Sequence, residues 1–205
     1  MENNIENKME EGVVYRGVAA PILIKELVWM LSNRPWFFTE SSETNVPREG
    51  TPLGHSSWAN FIIRDEESTG DEELCLVTKL LILDMLENVG IHGATIVRAR
   101  AGMHTYAENT VVNFPHVDSG LPHYTGLLYL NDSDGDTYLY EETYKYAGGF
   151  LPPLPPIGTD LKVLRRVSPE FNKLLIFTGN RYHASSSPSK HSKRLTLNFN
   201  FTLEG

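Results

Sequence analysis

The chain has 205 residues, of which 40% are hydrophobic and 21% are charged, and its formal net charge is −8. This composition is typical of one globular domain, and the negative charge argues against a nucleic-acid partner, because phosphate binding needs a basic patch. The one cysteine, Cys75, cannot form an internal disulfide, and the polar start of the chain has no apolar signal-like run. We therefore expect a cytoplasmic protein that does not enter a membrane.

The first half of the chain predicts two helices. Residues 1–12 are acidic and polar and are expected to form a flexible N-terminal segment. Residues 21–31 read as a short helix with a proline in its first turn. Residues 71–89 predict a longer helix, because apolar residues recur at three- and four-residue spacing after an acidic first turn. Trp58 is expected in the core, with a place in a substrate groove as the alternative.

From residue 94 onward the pattern changes to short strands. They are predicted at residues 94–100, 111–118, 125–131, 136–142, 161–167, 173–179 and 194–203, separated by Gly, Asn, Asp and Pro. Helices followed by many short strands indicate an α+β, mainly β fold, with N-terminal helices packed on a jelly-roll-like barrel. We expect one domain over residues 13–205, with its barrel core at about 94–202. The loops 39–57 and 151–158 are candidate lids over a pocket.

A metal-binding pattern lies within the predicted barrel. His116 and Asp118 are two residues apart, so both side chains would face the same side of a β-strand. His183, from a distant strand, would add a third ligand. Two imidazoles and one carboxylate form the facial set of non-heme Fe(II) sites, which leaves coordination positions open. A closed zinc site is disfavoured, because it usually needs thiolates and Cys75 is far from these histidines in the sequence.

A candidate anion site follows the third metal ligand. Arg194 and Thr196 alternate with leucines, so the two polar side chains share one face of a strand. An arginine on the inner face of a barrel needs an anionic partner, and its planar guanidinium matches a carboxylate. The same alternation turns the competing cation, Lys193, to the other face. Tyr129 either completes the anion site or is a barrel aromatic whose hydroxyl meets a backbone group.

Five segments carry a family resemblance, and they occur in the family's order. They are PHVDSG (115–120), LLYLND (127–132), GDTYLY (135–140), LLIFTGNRYHAS (174–185) and KRLTLNFNF (193–201). Together they resemble the Fe(II)/2-oxoglutarate-dependent oxygenase superfamily, and within it the prolyl-4-hydroxylase-like branch. The resemblance implies a double-stranded β-helix in which His116, Asp118 and His183 bind Fe(II). It further implies that Arg194 pairs with the distal carboxylate of 2-oxoglutarate, helped by Tyr129 and Thr196.

The resemblance also implies an activity. The expected enzyme is an oxidoreductase that consumes O₂ and 2-oxoglutarate, releases succinate and CO₂, and has ascorbate as a candidate reductant. The expected reaction is hydroxylation of an unactivated C–H bond in a small molecule or peptide, with prolyl, peptidyl and amino-acid-like substrates as candidates. Asp118 favours hydroxylation or another oxidation over halogenation, because related halogenases replace this carboxylate with a small residue.

Several positions leave alternatives open. Where relatives carry a tyrosine near the co-substrate, this chain has Arg100, a candidate for the other carboxylate of 2-oxoglutarate. Many prolyl hydroxylases use a lysine as the carboxylate clamp, whereas Arg194 follows Lys193 here. His104 and His123 are expected in loops or the substrate pocket. The rival functions are a non-catalytic cupin-like metal-binding protein and a metal-dependent isomerase or hydrolase, for which His123 would supply an additional ligand.

Overall fold

The computed structural model describes residues 8–39, 57–146, 155 and 159–203. Two helices of three or more turns are present in this part of the chain, α1 (Pro21–Ser32) and α2 (Glu72–Asn88). The strands are β1 (Val13–Arg16), β2 (Phe37–Thr39), β3 (Ser57–Arg64), β4 (Glu67–Ser68), β5 (Ala94–Thr105), β6 (Tyr124–Tyr129), β7 (Thr137–Thr143), β8 (Val163–Val167), β9 (Lys173–Thr178), β10 (Arg181–Ser185) and β11 (Lys193–Leu203).

Both predicted helices are confirmed, and their ends follow from local chemistry. The Asp71 side chain accepts a hydrogen bond from the backbone N–H of Leu74 at 2.9 Å and so caps the start of α2. Gly90 lies just beyond the end of α2 with a φ of +81°, a left-handed conformation that glycine adopts without steric cost. Pro21 opens α1, where its missing N–H is not needed.

Two antiparallel sheets form the body of the protein. The larger sheet has the strand order β1-β9-β6-β11-β5-β3-β2, with β4 beside β3, and the smaller sheet has the order β10-β7-β8. An isolated bridge between His116 and His183 joins the segment before β6 to β10. The protein is therefore mainly β with a few helices, as the sequence predicts, and this arrangement is consistent with a jelly roll.

The two faces of β11 have different roles. Its apolar side chains pack with α1 and α2 in the main hydrophobic core, where each is at most 4% exposed; they are Leu195, Leu197, Phe199 and Phe201. Its polar side chains alternate with these, and all of them are buried as well; they are Arg194, Thr196, Asn198 and Asn200. Three of the four line a cavity together with residues of β7 and β10. The space between the two sheets is thus polar around this cavity, and a second, smaller apolar cluster that includes Leu139 of β7 and Phe177 of β9 also joins the sheets. The main hydrophobic core lies on the helix side of the larger sheet.

The structure differs from the sequence-based expectations in several places, among them the short strands β1, β2, β4 and β10, which were not predicted. Residues 8–11 are helical and Met9 is fully buried, although the sequence predicts a flexible segment over residues 1–12; residues 1–7 lie outside the described residues. Residues 111–118 form isolated bridges at Val112 and His116 instead of a continuous strand, and Pro115 has no N–H to donate there. The strand β3 was not predicted, because its sequence SWANFIIR lacks regular alternation of apolar and polar residues.

The candidate lids at 39–57 and 151–158 lie almost entirely outside the described residues. Within the described part of the chain, no helix is both long and apolar enough to cross a membrane.

Candidate metal centre

The three predicted metal ligands meet between the sheets. One possible ligand atom from each of His116, Asp118 and His183 lies within 4.8 Å of the others. Nε2 of His116 is 3.9 Å from Oδ1 of Asp118, and Nε2 of His183 is 3.8 Å from Oδ2. Among the described residues, no further His, Cys, Asp or Glu joins this group. The set can therefore hold an ion while leaving coordination positions open.

Backbone carbonyl groups orient the two imidazole rings. Nδ1 of His116 is 3.2 Å from the carbonyl oxygen of Phe114, and Nδ1 of His183 is 3.2 Å from that of Arg181. Because a carbonyl oxygen only accepts, each Nδ1 carries the proton in this contact, which leaves a lone pair on Nε2. Nε2 of His183 is buried and has no hydrogen-bond partner. This is the arrangement expected of an atom that binds a metal ion.

Burial keeps both imidazole rings neutral. Desolvation, and to a smaller extent the neighbouring His183, lower the pKa of His116 from 6.5 to about 3. Desolvation likewise lowers the pKa of His183. Since neutral imidazole is the form that coordinates a metal, neither ring has to lose a proton at neutral pH before binding.

A polar network holds the Asp118 carboxylate. Its Oδ1 accepts a hydrogen bond from Nη1 of Arg98 at 3.2 Å, and its Oδ2 accepts from Nδ2 of Asn200 at 2.9 Å and Oγ1 of Thr125 at 3.3 Å. Burial alone would raise the pKa of Asp118, but electrostatic interactions with His183 and Arg98 outweigh it and hold this pKa well below its usual range. Asp118 is therefore the ionised ligand that a divalent cation prefers.

A cavity extends from the two histidines towards the start of β11. Its wall includes His116, His183, Arg194 and Thr196, and none of the described residues that line it is Asp or Glu. Arg194 is only 3% exposed, and its Nη2 donates a hydrogen bond to Oγ1 of Thr137 at 2.8 Å. The cavity thus joins a metal-binding set to a buried guanidinium group.

Tyr129 packs against Arg194. The guanidinium carbon of Arg194 is 5.8 Å from the centre of the Tyr129 ring, and the Tyr129 hydroxyl donates to Oγ1 of Thr137 at 2.8 Å. Burial raises the pKa of Tyr129 to about 12, so this hydroxyl remains a donor at neutral pH. The Tyr129 hydroxyl therefore contacts a side chain that also binds Arg194.

The other two predicted co-substrate residues also line the cavity. Oγ1 of Thr196 donates to the carbonyl oxygen of Gly102 at 3.4 Å, and the guanidinium carbon of Arg100 lies 6.0 Å from the centre of the Phe61 ring. Lys193, in contrast, is exposed. Its exposure agrees with the strand alternation that separates it from Arg194.

The remaining predicted pocket residues have distinct places. His104 lines the cavity, and its Nε2 is 3.1 Å from Oγ of Ser185. His123 is buried, with Nδ1 2.7 Å from the carbonyl oxygen of Leu121, and it does not join the group of three possible ligands. Trp58 is half-buried and lines the cavity, and it is not among the residues of the main core, where it was expected.

Several residues of the site, among them Thr125, were not predicted from the sequence. Thr137 binds both Arg194 and Tyr129, whereas Arg98 and Asn200 hold Asp118. Arg98 and Asn200 lie an even number of residues from the predicted Arg100 and Thr196, so extending the alternation along β5 and β11 would have found them. Thr137 had no comparable signal, because its role depends on how the two sheets face each other.

The similarity of this chain to known proteins is found by comparing structures and not by comparing sequences. Neither a protein-family model nor a curated protein sequence matches the chain. Among solved structures, it is similar to an oxidoreductase of the 2OG-Fe(II) oxygenase family from Burkholderia pseudomallei, with a TM-score of 0.67, 9% identity and coverage of 98% of this chain and 91% of that one. The chain shares the fold of the 2OG-Fe(II) oxygenases.

Two further structures show the range of proteins with this fold. A prolyl hydroxylase from Trichoplax adhaerens, in complex with a peptide fragment of hypoxia inducible factor, has a TM-score of 0.61 and 15% identity over 97% of this chain and 87% of that one. The epimerase SnoN, in complex with Fe³⁺, alpha ketoglutarate and nogalamycin RO, has a TM-score of 0.62 and 12% identity over 97% and 81%. The oxygenase resemblance that the motifs predict is therefore confirmed in the fold.

Proposed function

We propose that this chain is an Fe(II)- and 2-oxoglutarate-dependent dioxygenase, and that residues 13–205 form one oxygenase domain built on a double-stranded β-helix. His116, Asp118 and His183 hold the iron in this proposal. The observation that supports it most is that one cavity contains the two histidines and the buried guanidinium of Arg194. A metal site and an anion site on one cavity match the two ends of 2-oxoglutarate, its keto acid and its distal carboxylate.

The side chains around Arg194 orient it for this role. Thr137 accepts from both Arg194 and Tyr129, which fixes the guanidinium before the co-substrate arrives. The distal carboxylate then pairs with Arg194, and Thr196 offers a hydroxyl on the same strand face. Bound iron and 2-oxoglutarate supply an O₂-dependent oxidation with succinate and CO₂ as by-products, and ascorbate is the candidate reductant. The free, buried Cys75 suits the reducing cytoplasm, where we place the protein.

Hydroxylation of a C–H bond is the reaction that we propose first. The structurally similar prolyl hydroxylase and the presence of Asp118 as the third ligand both support it. Epimerisation is the second candidate, because the epimerase SnoN has the same fold and was solved with alpha ketoglutarate. The two reactions differ in product mass, since only hydroxylation adds an oxygen atom to the substrate. Mass spectrometry of the product separates them.

The decisive experiment is an anaerobic titration of the metal-free protein with Fe(II) and then 2-oxoglutarate. We expect a weak visible charge-transfer band that needs both additions. His183→Ala should abolish the band, because it removes one of the three ligands. His92→Ala is the matched control, because His92 is an exposed histidine paired with Glu87 on the surface, and it should leave the band unchanged.

Two results would contradict the proposal. Iron binding without the band at saturating 2-oxoglutarate would leave a non-catalytic metal-binding protein as the better account. Turnover of a substrate without consumption of 2-oxoglutarate would favour a metal-dependent isomerase or hydrolase.

A further inference from the structure

The outer surface of the two helices is apolar. Both helices bury their inner sides in the main hydrophobic core, yet large apolar side chains on their outer sides are exposed. On α2 these are three leucines, Leu76 and Leu80 at 59% and Leu83 at 38%. On α1 they are Ile22 at 69% and Trp29 at 60%. These five residues form the two-helix face.

The helices run antiparallel, side by side. Arg34, which follows α1, pairs at 2.8 Å with Asp71, which directly precedes α2. At the opposite end, Asn88 closes α2, and its Nδ2 donates a hydrogen bond at 3.1 Å to the carbonyl oxygen of Val18, shortly before α1. The exposed apolar residues of α1 therefore lie beside those of α2 on one surface.

The two-helix face is large for an exposed apolar surface. A fully exposed leucine, isoleucine or tryptophan presents about 200–250 Å², so the exposed fractions correspond to roughly 500–600 Å². The largest apolar patch of a typical monomeric protein covers about 300–600 Å² and is often functional. Because the gain from burying apolar surface grows with its area, a partner that covers this face would bind mainly through it.

The three leucines of α2 have the spacing of a helix-pairing seam. They are four and three residues apart, so they form one stripe along which a second helix can pack lengthwise. The same spacing, continued in each direction, reaches Glu73 and Glu87. Both glutamates are exposed, although Glu73 also pairs with Arg34 and Glu87 contacts His92. The apolar stripe thus has an acidic residue at each end.

The polar residues around the stripe are acidic. The single lysine of α2, Lys79, is half-buried and donates to the carbonyl oxygen of Glu66. Apart from the leucines, the exposed residues of α2 are four acids and one asparagine; they are Glu72, Glu73, Asp84, Glu87 and Asn88. A basic partner is therefore favoured by charge.

The same charges disfavour two other occupants of the face. In a second copy of the chain, whether parallel or antiparallel, the glutamates at the ends of the two stripes would meet, and facing like charges destabilise such a pair. A membrane is disfavoured because anionic lipids attract basic and not acidic segments.

We propose that the two-helix face binds an amphipathic helix of another protein, with its apolar stripe on the leucines and its lysine or arginine residues beside the surrounding acids. Helices that bind in this mode are anchored by apolar residues at three- and four-residue spacing. α2 has 17 residues and is about 25 Å long, which is room for a partner helix of about four turns. The inference goes beyond the proposed function and does not depend on it, because the helices lie on the side of the larger sheet away from the candidate metal centre.

The test uses the full chain and a labelled synthetic peptide about two heptads long, made of leucine and lysine with the leucines on one helical face. Binding is followed by fluorescence anisotropy. We expect a dissociation constant of about 1–100 μM, as for a weak or transient interface. The same peptide with glutamate in place of lysine should bind at least about 10-fold more weakly, because it brings like charges together. Added salt should weaken binding of the lysine peptide, since exposed charges are screened.

Two variants connect this binding to the face. Leu80→Gln removes apolar surface from the middle of the stripe and should weaken binding about 10-fold. The side chain is exposed and glutamine is a good helix former, so the fold should be retained. The exposed Trp29 should shift its emission to shorter wavelength when the peptide covers it, and Trp29→Phe should remove that shift. Leu164→Gln is the matched control, because Leu164 is an exposed leucine of β8 in the smaller sheet; it should bind the peptide as the wild type does.

Several results would overturn the inference. They are failure of the lysine peptide to bind, equal binding of the two peptides, and equal binding by Leu80→Gln and the wild type. A wild-type dimer in analytical ultracentrifugation that Leu80→Gln converts to a monomer would assign the face to a second copy of the chain. Binding to phosphatidylcholine vesicles that Leu80→Gln abolishes would assign it to a lipid surface. None of these results bears on the proposed oxygenase function, which the iron titration tests separately.

Discussion

Replacing Arg194 should weaken 2-oxoglutarate binding without disturbing the metal. Arg194→Gln removes the positive charge from a side chain that is 3% exposed and lines the cavity. A hydrogen bond to a charged group contributes about 1.5–3 kcal/mol, so the dissociation constant for 2-oxoglutarate should rise roughly 10- to 150-fold. The affinity for Fe(II) should change little, because Arg194 is not one of the three grouped ligands.

The assay is the anaerobic titration of Fe(II)-loaded protein with 2-oxoglutarate, followed through the charge-transfer band. Lys193→Gln is the control, since it removes the same charge from the adjacent, exposed residue. It should change the dissociation constant by less than about twofold, because exposed charges are screened by solvent. Circular dichroism of both variants verifies that the fold is retained.

Equal affinity of Arg194→Gln and the wild type for 2-oxoglutarate would refute this reasoning. A larger loss in Lys193→Gln than in Arg194→Gln would show that the lysine is the clamp. Either result would mean that the alternation of side chains on β11 does not decide which cation meets the co-substrate.

Three further predictions concern the stability of the fold. Burial raises the pKa of Tyr129 to about 12. In the unfolded chain this hydroxyl titrates near pH 10, so deprotonation favours the unfolded state above that pH. The free energy of unfolding of the wild type, measured in urea, should therefore fall by up to about 3 kcal/mol between pH 10 and 12 relative to Tyr129→Phe. Asp134 accepts hydrogen bonds from the backbone N–H groups of residues 189–191. Burial would raise its pKa, but hydrogen bonds, the one from His191 foremost, hold it below 3.8. Asp134→Asn should therefore lower the melting temperature by roughly 2–10 °C at neutral pH. This difference from the wild type should shrink as the pH falls below about 4, because the Asp134 carboxylate becomes protonated. A difference that stays the same in acid would show that the charge of Asp134 does not stabilise the fold. A Cβ atom at Gly126 would overlap the buried Phe199 ring, so Gly126→Ala should cost about 1–3 kcal/mol in thermal unfolding, and an unchanged melting temperature would show that the ring moves aside freely.

Side-chain alternation explains why much of the site could be predicted from the sequence. The pattern of β11 places Arg194 and Thr196 on one face and separates Lys193 from them, and the structure agrees. The helix ends of α2 follow from an acidic cap and a glycine, which act locally. Such features need only a few neighbouring residues, so they are visible in one sequence.

Several features that depend on contact between distant segments were not predicted. Thr137 joins Arg194 and Tyr129 only because the smaller sheet faces the larger one. The segment before β6 reads as a strand, but it pairs only through isolated bridges at Val112 and His116. Met9 is buried although its neighbours are acidic, because tertiary packing overrides the local composition. Pairing of distant segments is decided by the whole fold, which local patterns do not encode.

The alternation on β11 also makes this strand intolerant of changes in length. Because side chains repeat every two residues, inserting or deleting one residue after Lys193 would exchange the two faces of the following strand. The polar cavity would then receive the side chains of Leu195, Leu197 and Phe199. Arg194 and the other polar side chains of β11 would enter the hydrophobic core beneath the helices. Such a change would disrupt the hydrophobic core and the candidate metal site at the same time. Insertions and deletions that leave the protein folded are therefore expected in the connections on either side of β11 and not within the strand.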